Sequence, residues 1–156
     1  MPIFQSAMFE TMGEKNYDDL KYIRLNNTPN HLALHEKLAA LEGAEDALVT
    51  ASGMAAVSAT LLSMLSKGDH LLVQDCLYGG THDFVTNDLE GFGISYDFID
   101  GNDPSSWEKK IQPNTKAIYV ESMTNPLLQV ADHKAVVEFA RSRGIVSIID
   151  NTFASP

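Results

Sequence analysis

The sequence predicts an α/β fold, a mostly parallel sheet with helices on both faces, preceded by an extended N-terminal arm. Three observations point there. Short apolar runs alternate with helix-like stretches along the chain, several of these runs are apolar at consecutive positions, and Gly, Pro, Asn and Asp punctuate the joins at regular intervals. A strand that is apolar on both sides needs cover on both sides, which parallel sheets obtain from crossover helices.

Residues 1–27 lack sustained periodicity and mix Pro2, Gly13, Asn16, Asn26 and Asn27 with scattered aromatics, so they read as an arm, and the first part of the α/β domain is placed at 28–156. Thr28 followed by Pro29 reads as a helix N-cap with proline at the first helical position. Leu34, Leu38 and Leu41 give that helix an apolar stripe, and Gly43 ends it. "DALVTA" (46–51) reads as a strand, "GMAAVSATLLSMLSKG" as a helix closing near Gly68, and "HLLVQD" (70–75) as the next strand. "THDFVTNDLEGFG" suits a shorter helix, "ISYDFID" (94–100) a strand, "SSWEKKIQ" a helical turn or two, and "KAIYVES" (116–122) a buried strand. "DHKAVVEFARSRG" reads as a helix capped by Asp132 and ended by Gly144, leading into the last strand, "IVSIID" (145–150). Five strands are expected in all.

Composition narrows the functional classes. The 156 residues are 44% hydrophobic and carry a formal charge of −10, which suits a globular core and disfavours nucleic acid and anionic membranes as partners. The most apolar stretch, residues 55–65, is too short to span a bilayer. "MPIFQSAMFE" does not resemble a signal peptide, and the single cysteine, Cys76, cannot form an internal disulfide. A cytoplasmic protein is expected.

In open α/β sheets, ligands bind beyond the carboxyl ends of the strands. Ser52-Gly53-Met54-Ala55-Ala56 opens a helix there, where free N–H groups and the dipole favour phosphate. After the strand at 70–75 comes Tyr78-Gly79-Gly80-Thr81, an aromatic on a turn. Glu121-Ser122-Met123-Thr124-Asn125-Pro126 follows the strand at 116–122, its Asn-Pro step restricting the backbone, and Asp150, Asn151 and Thr152 end the last strand. Taken singly, the Ser52 and Tyr78 stretches read as ordinary turns and Asp150 reads equally as a helix cap. Together, a phosphate cradle, an aromatic platform, an amide donor and a carboxylate on one sheet edge suit a flat phosphorylated heteroaromatic. Pyridoxal 5′-phosphate needs these groups, above all an acid paired with its pyridine nitrogen, which keeps the ring an electron sink.

"SGMAA", "YGGT", "ESMTNP" and "DNTFASP", in this order and spacing, resemble the Cys/Met-metabolism (trans-sulfuration) family of pyridoxal-phosphate enzymes, and the similarity runs over nearly the whole chain. The family includes cystathionine γ-synthase, cystathionine γ- and β-lyases, methionine γ-lyase and O-acetylhomoserine sulfhydrylase. The resemblance implies the large domain of an aspartate-aminotransferase-like transferase. It also implies that the N–H groups of Gly53 and Met54 hold the phosphate, that Tyr78 stacks on the ring and assists proton transfer, and that Asp150 pairs with the ring nitrogen. Asn125 would bond the phenolic oxygen, with Glu121 supporting the same loop and Thr152 nearby. "YIRLNNTPN" resembles the family's Tyr-x-Arg segment, implying that Tyr22 and Arg24 reach a neighbouring subunit's phosphate in a homotetramer built as a dimer of dimers. Asn27-Thr28-Pro29 here exchanges the last two residues of the family's Asn-Pro-Thr.

The family's cofactor-anchoring lysine lies in a Ser-x-Thr-Lys context beyond the aspartate, and no lysine of this chain has that context. The sequence is therefore expected to be the N-terminal part of a longer enzyme acting by elimination or replacement at Cβ or Cγ of sulfur amino acids or activated homoserine, and to be inactive alone. The rival of a different class is a non-catalytic, lyase-like partner-binding fragment. A dinucleotide fold is disfavoured because Gly91-Phe92-Gly93 precedes a strand and lacks the third glycine. His31 and His35 share a helix face but lack the zinc-protease glutamate between them, so solvated histidines are expected and no metal site. Cys76 reads as a small core residue.

Overall fold

The computed structural model describes residues 1–154. The chain forms two compact units, one made of residues 1–51 and one that begins at Ser52.

In the first unit, the arm makes two 3-10 turns, Tyr17–Asp19 and Ile23–Leu25, and one antiparallel bridge between Met8 and Tyr22. Helix α1 (Pro29–Glu42) begins and ends where the sequence predicts, with Pro29 in its first turn and Gly43 left-handed at φ 61°. Thr28 does not cap it through its side chain; its hydroxyl instead pairs with His31 Nδ1 at 2.8 Å. His35 is not solvated. It is buried on α1, and its Nε2 accepts the Val49 N–H at 3.1 Å. That bond explains a second departure from expectation: residues 46–51 form no strand. The Val49 N–H goes to His35 and its carbonyl to the Asn26 amide at 2.7 Å, so side chains take up the groups a sheet neighbour would use.

The second unit contains α2 (Gly53–Met64), β1 (His70–Gln74), α3 (Gly79–Asp83), β2 (Ser95–Ile99), α4 (Pro104–Lys110), β3 (Thr115–Glu121), α5 (His133–Arg143) and β4 (Val146–Asp150). The four strands are parallel in the order β2-β1-β3-β4. Helix α2 stops at Met64, short of Gly68. Leu65 turns extended and buries itself in the core, while the Asp69 carboxylate accepts the Ser66 N–H at 2.8 Å and closes the turn. Past Asp83 the helix loosens into a π turn and then a 3-10 turn, ended by Gly93 at φ 73°.

Period-two alternation along the strands divides the core between two faces. Leu71, Val73, Ala117 and Tyr119 point to one face, against Leu61, Val85 and Leu89. Leu72, Ile118 and Val120 point to the other, against Trp107 of α4 and Val136, Phe139 and Ala140 of α5. β4 is an edge strand, with Val146 and Ile149 part-exposed.

At the opposite end of the strands from their carboxyl tips, His70 is fully buried. Its Nδ1 pairs with Thr115 Oγ1 at 2.8 Å and its Nε2 lies 3.3 Å from Asp97 Oδ2, so one ring spans β1, β2 and β3. Burial lowers its pKa from 6.5, and Asp97 offsets only part of that. An unfolded chain therefore takes up a proton that the folded one resists. The neutral ring's contribution to stability is intact above pH 6.5 and is lost as pH falls below it. The urea midpoint is expected to drop between pH 7 and pH 5, and to drop less in His70→Gln; equal slopes for the two proteins would refute this assignment.

Candidate cofactor site

The carboxyl ends of β1, β3 and β4 open onto a cavity of about 510 Å³ lined in part by Gly53, Met54, Tyr78, Glu121, Asn125, Asp150 and Thr152. All seven residues that the sequence singled out in this unit are thus brought together. Ser52, Val57, Thr81, Met123 and Phe153 complete the lining. Tyr22 and Arg24 belong to the first unit, where the Arg24 guanidinium lies 5.1 Å from the centre of the Tyr22 ring.

The helix-start side is built by Ser52. Its hydroxyl accepts the Ala55 N–H at 3.1 Å and its carbonyl accepts that of Ala56, which leaves the N–H groups of Gly53 and Met54 at the first turn, where they form the positive end of the helix dipole. Tyr78 precedes α3 with half its surface exposed, and Gly80 is what lets it lie close: a Cβ there would meet the Tyr78 ring at 2.7 Å and Met54 Sδ at 3.0 Å.

Glu121 ties two loops together. It is buried, and its carboxylate accepts the Tyr78 N–H at 2.6 Å and the Asn125 N–H at 3.3 Å. Desolvation raises its pKa despite those two donors, and the nearby Asp150 charge raises it further. Asn125 is followed by a cis peptide bond to Pro126. Thr124 anchors the turn after it by accepting the Gln129 N–H at 3.0 Å through its hydroxyl.

Asp150 is in register with Glu121 across β3 and β4. Its Oδ1 accepts the Thr152 N–H at 3.1 Å and the Thr152 hydroxyl at 2.5 Å, a short Asx-type turn that aims the acid. Its Oδ2 accepts from the Tyr119 hydroxyl at 2.8 Å. Tyr119 is the member of this site that the sequence reading missed. Inside an apolar strand it reads as core, and its one signal is a spacing of two from Glu121, which puts both on one face.

The lining suits a phosphorylated heteroaromatic on the structure's own terms. It offers N–H donors at a helix start, an exposed aromatic ring, and an acid whose two oxygens are already oriented by hydroxyls and an N–H. The model of the Cys/Met metabolism PLP-dependent enzyme family matches residues 1–156 of the chain. The chain belongs to that family. A Herpetosiphon aurantiacus protein described as a cystathionine gamma-synthase is 44% identical over 100% of this chain and 48% of its own length. A cystathionine beta-lyase of Bacillus subtilis is 42% identical over 100% of this chain and 40% of its own. Among solved structures, a Campylobacter jejuni protein assigned as an O-acetylhomoserine (thiol)-lyase superposes with a TM-score of 0.92 at 36% identity, covering 100% of this chain and 40% of its own. That protein holds N′-pyridoxyl-lysine-5′-monophosphate. The chain thus spans less than half the length of these family members. The family's cofactor is pyridoxal 5′-phosphate, and the four-stranded parallel sheet is part of its large α/β domain. Among the described residues no helix is long and apolar enough to cross a membrane.

Proposed function

We propose that this chain supplies the pyridoxal 5′-phosphate pocket of a trans-sulfuration enzyme that eliminates or replaces the group at Cβ or Cγ of a sulfur amino acid or activated homoserine. The observation that carries this reading is the convergence of Asp150, Tyr78, Asn125 and the start of α2 on one cavity at the strand tips. When bound, the cofactor supplies an electron sink for a carbanion at the substrate's Cα.

The chain's own residues then divide the work. Gly53 and Met54 donate N–H groups to the phosphate, and Asn125 donates its side-chain amide to the ring's phenolic oxygen. Glu121 holds both the Tyr78 and Asn125 loops by their backbones, so the two cannot drift apart. Tyr78 covers the ring and, being half exposed, can pass a proton to or from substrate. Asp150 keeps the ring nitrogen protonated, with Thr152 fixing its orientation.

Residues 1–27 act as an arm toward a neighbouring subunit, where Tyr22 and Arg24 complete that subunit's phosphate site in a dimer-of-dimers tetramer. Arginine's planar fork suits that role. The enzyme works in the cytoplasm, and this chain alone turns nothing over, because none of its lysines stands in the anchoring context.

The test is to add pyridoxal 5′-phosphate to the intact protein, follow its absorbance, and assay release of thiol or 2-oxo acid from cystathionine, methionine and acylated homoserines. Cofactor binding with turnover of at least one of these is expected. A folded protein that binds no cofactor would sink the reading and favour a partner-binding fragment.

A further inference from the structure

Asp150 is held from two sides, and only one of them is its own loop. Thr152 satisfies Oδ1, while Oδ2 is held by a residue in the adjacent strand, Tyr119, at 2.8 Å. Tyr119 is 2% exposed and packed among Leu71, Val73 and Ala117. For packing alone, phenylalanine would fill this place without burying a hydroxyl, and a buried hydroxyl is costly unless bonded. The hydroxyl here is directed at the acid. Thr81, itself fully buried on α3 and lining the same cavity, directs its hydroxyl at Met54 Sδ, 4.0 Å away. The Tyr119–Asp150 hydrogen bond is thus a polar link inside an otherwise apolar layer.

We propose that Tyr119 is a positioning residue for the cofactor's ring nitrogen: by donating to Asp150 Oδ2 it fixes the carboxylate's orientation and stabilises its anionic form, so that the proton stays on the ring rather than passing to the acid. The inference rests on the reading of Asp150 given above. Its physical basis is that a hydrogen bond to the charged form of an acid lowers its proton affinity. Burial, then the negative charge of Asp150, and more weakly that of Glu121, hold the phenol's proton far above the ordinary tyrosine range. Tyr119 thus remains a donor at any working pH and does not exchange roles with the acid. Thr152 cannot substitute for it, because both of its donors go to the other oxygen.

The test uses the intact protein loaded with pyridoxal 5′-phosphate labelled with ¹⁵N in the ring, whose chemical shift reports whether that nitrogen carries a proton. At a fixed pH where the nitrogen and the acid share one proton, the position of the signal between the protonated and unprotonated limits is compared for wild type, Tyr119→Phe, and a protein with 3-fluorotyrosine at position 119. The phenylalanine variant should move the signal toward the unprotonated limit, a change of about tenfold in the ratio of ring-bound to acid-bound proton, the scale of one hydrogen bond to a charged group. Fluorotyrosine, a stronger donor of nearly the same size, should move it toward the protonated limit. Opposite movements cannot come from packing. Wild-type binding with one common signal position for all three would overturn the role of Tyr119 and leave the cofactor site standing. Failure of wild type to bind the cofactor would overturn the site and this inference together. If Tyr119→Phe does not fold, the fluorotyrosine shift decides, and its absence refutes the proposal.

Discussion

Asp150→Asn is expected to cost the intact enzyme between about thirtyfold and several thousandfold in kcat/KM, the largest functional loss of any single change in the pocket. Asparagine has nearly the same shape but no charge. Its one oxygen can accept either from Thr152 or from Tyr119, and its amide then points a donor at a group that is itself a donor. More important, a neutral side chain cannot hold a protonated pyridine nitrogen. Removing one partner of a desolvated charge pair costs roughly 2–5 kcal/mol, which converts to the stated range at about 1.4 kcal/mol per factor of ten. Steady-state kinetics on the substrate turned over, with cofactor affinity and a melting curve in parallel, separate loss of chemistry from loss of fold. Turnover within threefold of wild type in a fully loaded variant would remove Asp150 from the role assigned to it.

The acid was visible in the sequence for a simple reason. A carboxylate straight after "IVSII", read singly, is equally a cap, and it gains weight because parallel sheets place strand tips together, beside the helix start at Ser52 and the loop at Asn125. Glu121 entered only through the family resemblance, as support for the Asn125 loop, and Tyr78 was legible as an aromatic on a turn at the same edge. Tyr119 was not, because within "KAIYVES" it is one more strand former, and only the register of β3 against β4 shows that its hydroxyl reaches Asp150. Residues 46–51 misled in the opposite direction. Leu48 and Val49 favour a strand locally, but strand propensity is realised only against a neighbour, and here Asn26 and His35 take the backbone bonds. The histidine that looked solvated was the one that made the strand unnecessary. Likewise, nothing in "LLSMLSKG" signals that Leu65 leaves the helix; the core position it fills and the turn closed by Asp69 decide that.

The sheet's other face carries the largest expected effect on stability. Trp107 is fully buried on α4, its ring meets Phe139 edge-on with centroids 5.4 Å apart, and its indole N–H donates to the Asp100 carbonyl at 2.6 Å. Trp107→Ala should cost about 3–5 kcal/mol, a large share of the roughly 5–15 kcal/mol that holds a domain together, and lower the melting temperature by roughly 10 °C or more. Trp107→Phe should cost much less. It keeps an aromatic against Phe139, and the Asp100 carbonyl still accepts the Asp103 N–H at 3.2 Å. Because Trp107 packs on Leu72, Ile118 and Val120 while Tyr119 faces the opposite side, cofactor affinity measured well below the transition should be the same in both variants as in wild type. A tenfold weaker affinity in a still-folded Trp107→Ala protein would show that strain crosses the sheet, and that the strand tips holding Glu121 and Asp150 are set by both layers rather than by one.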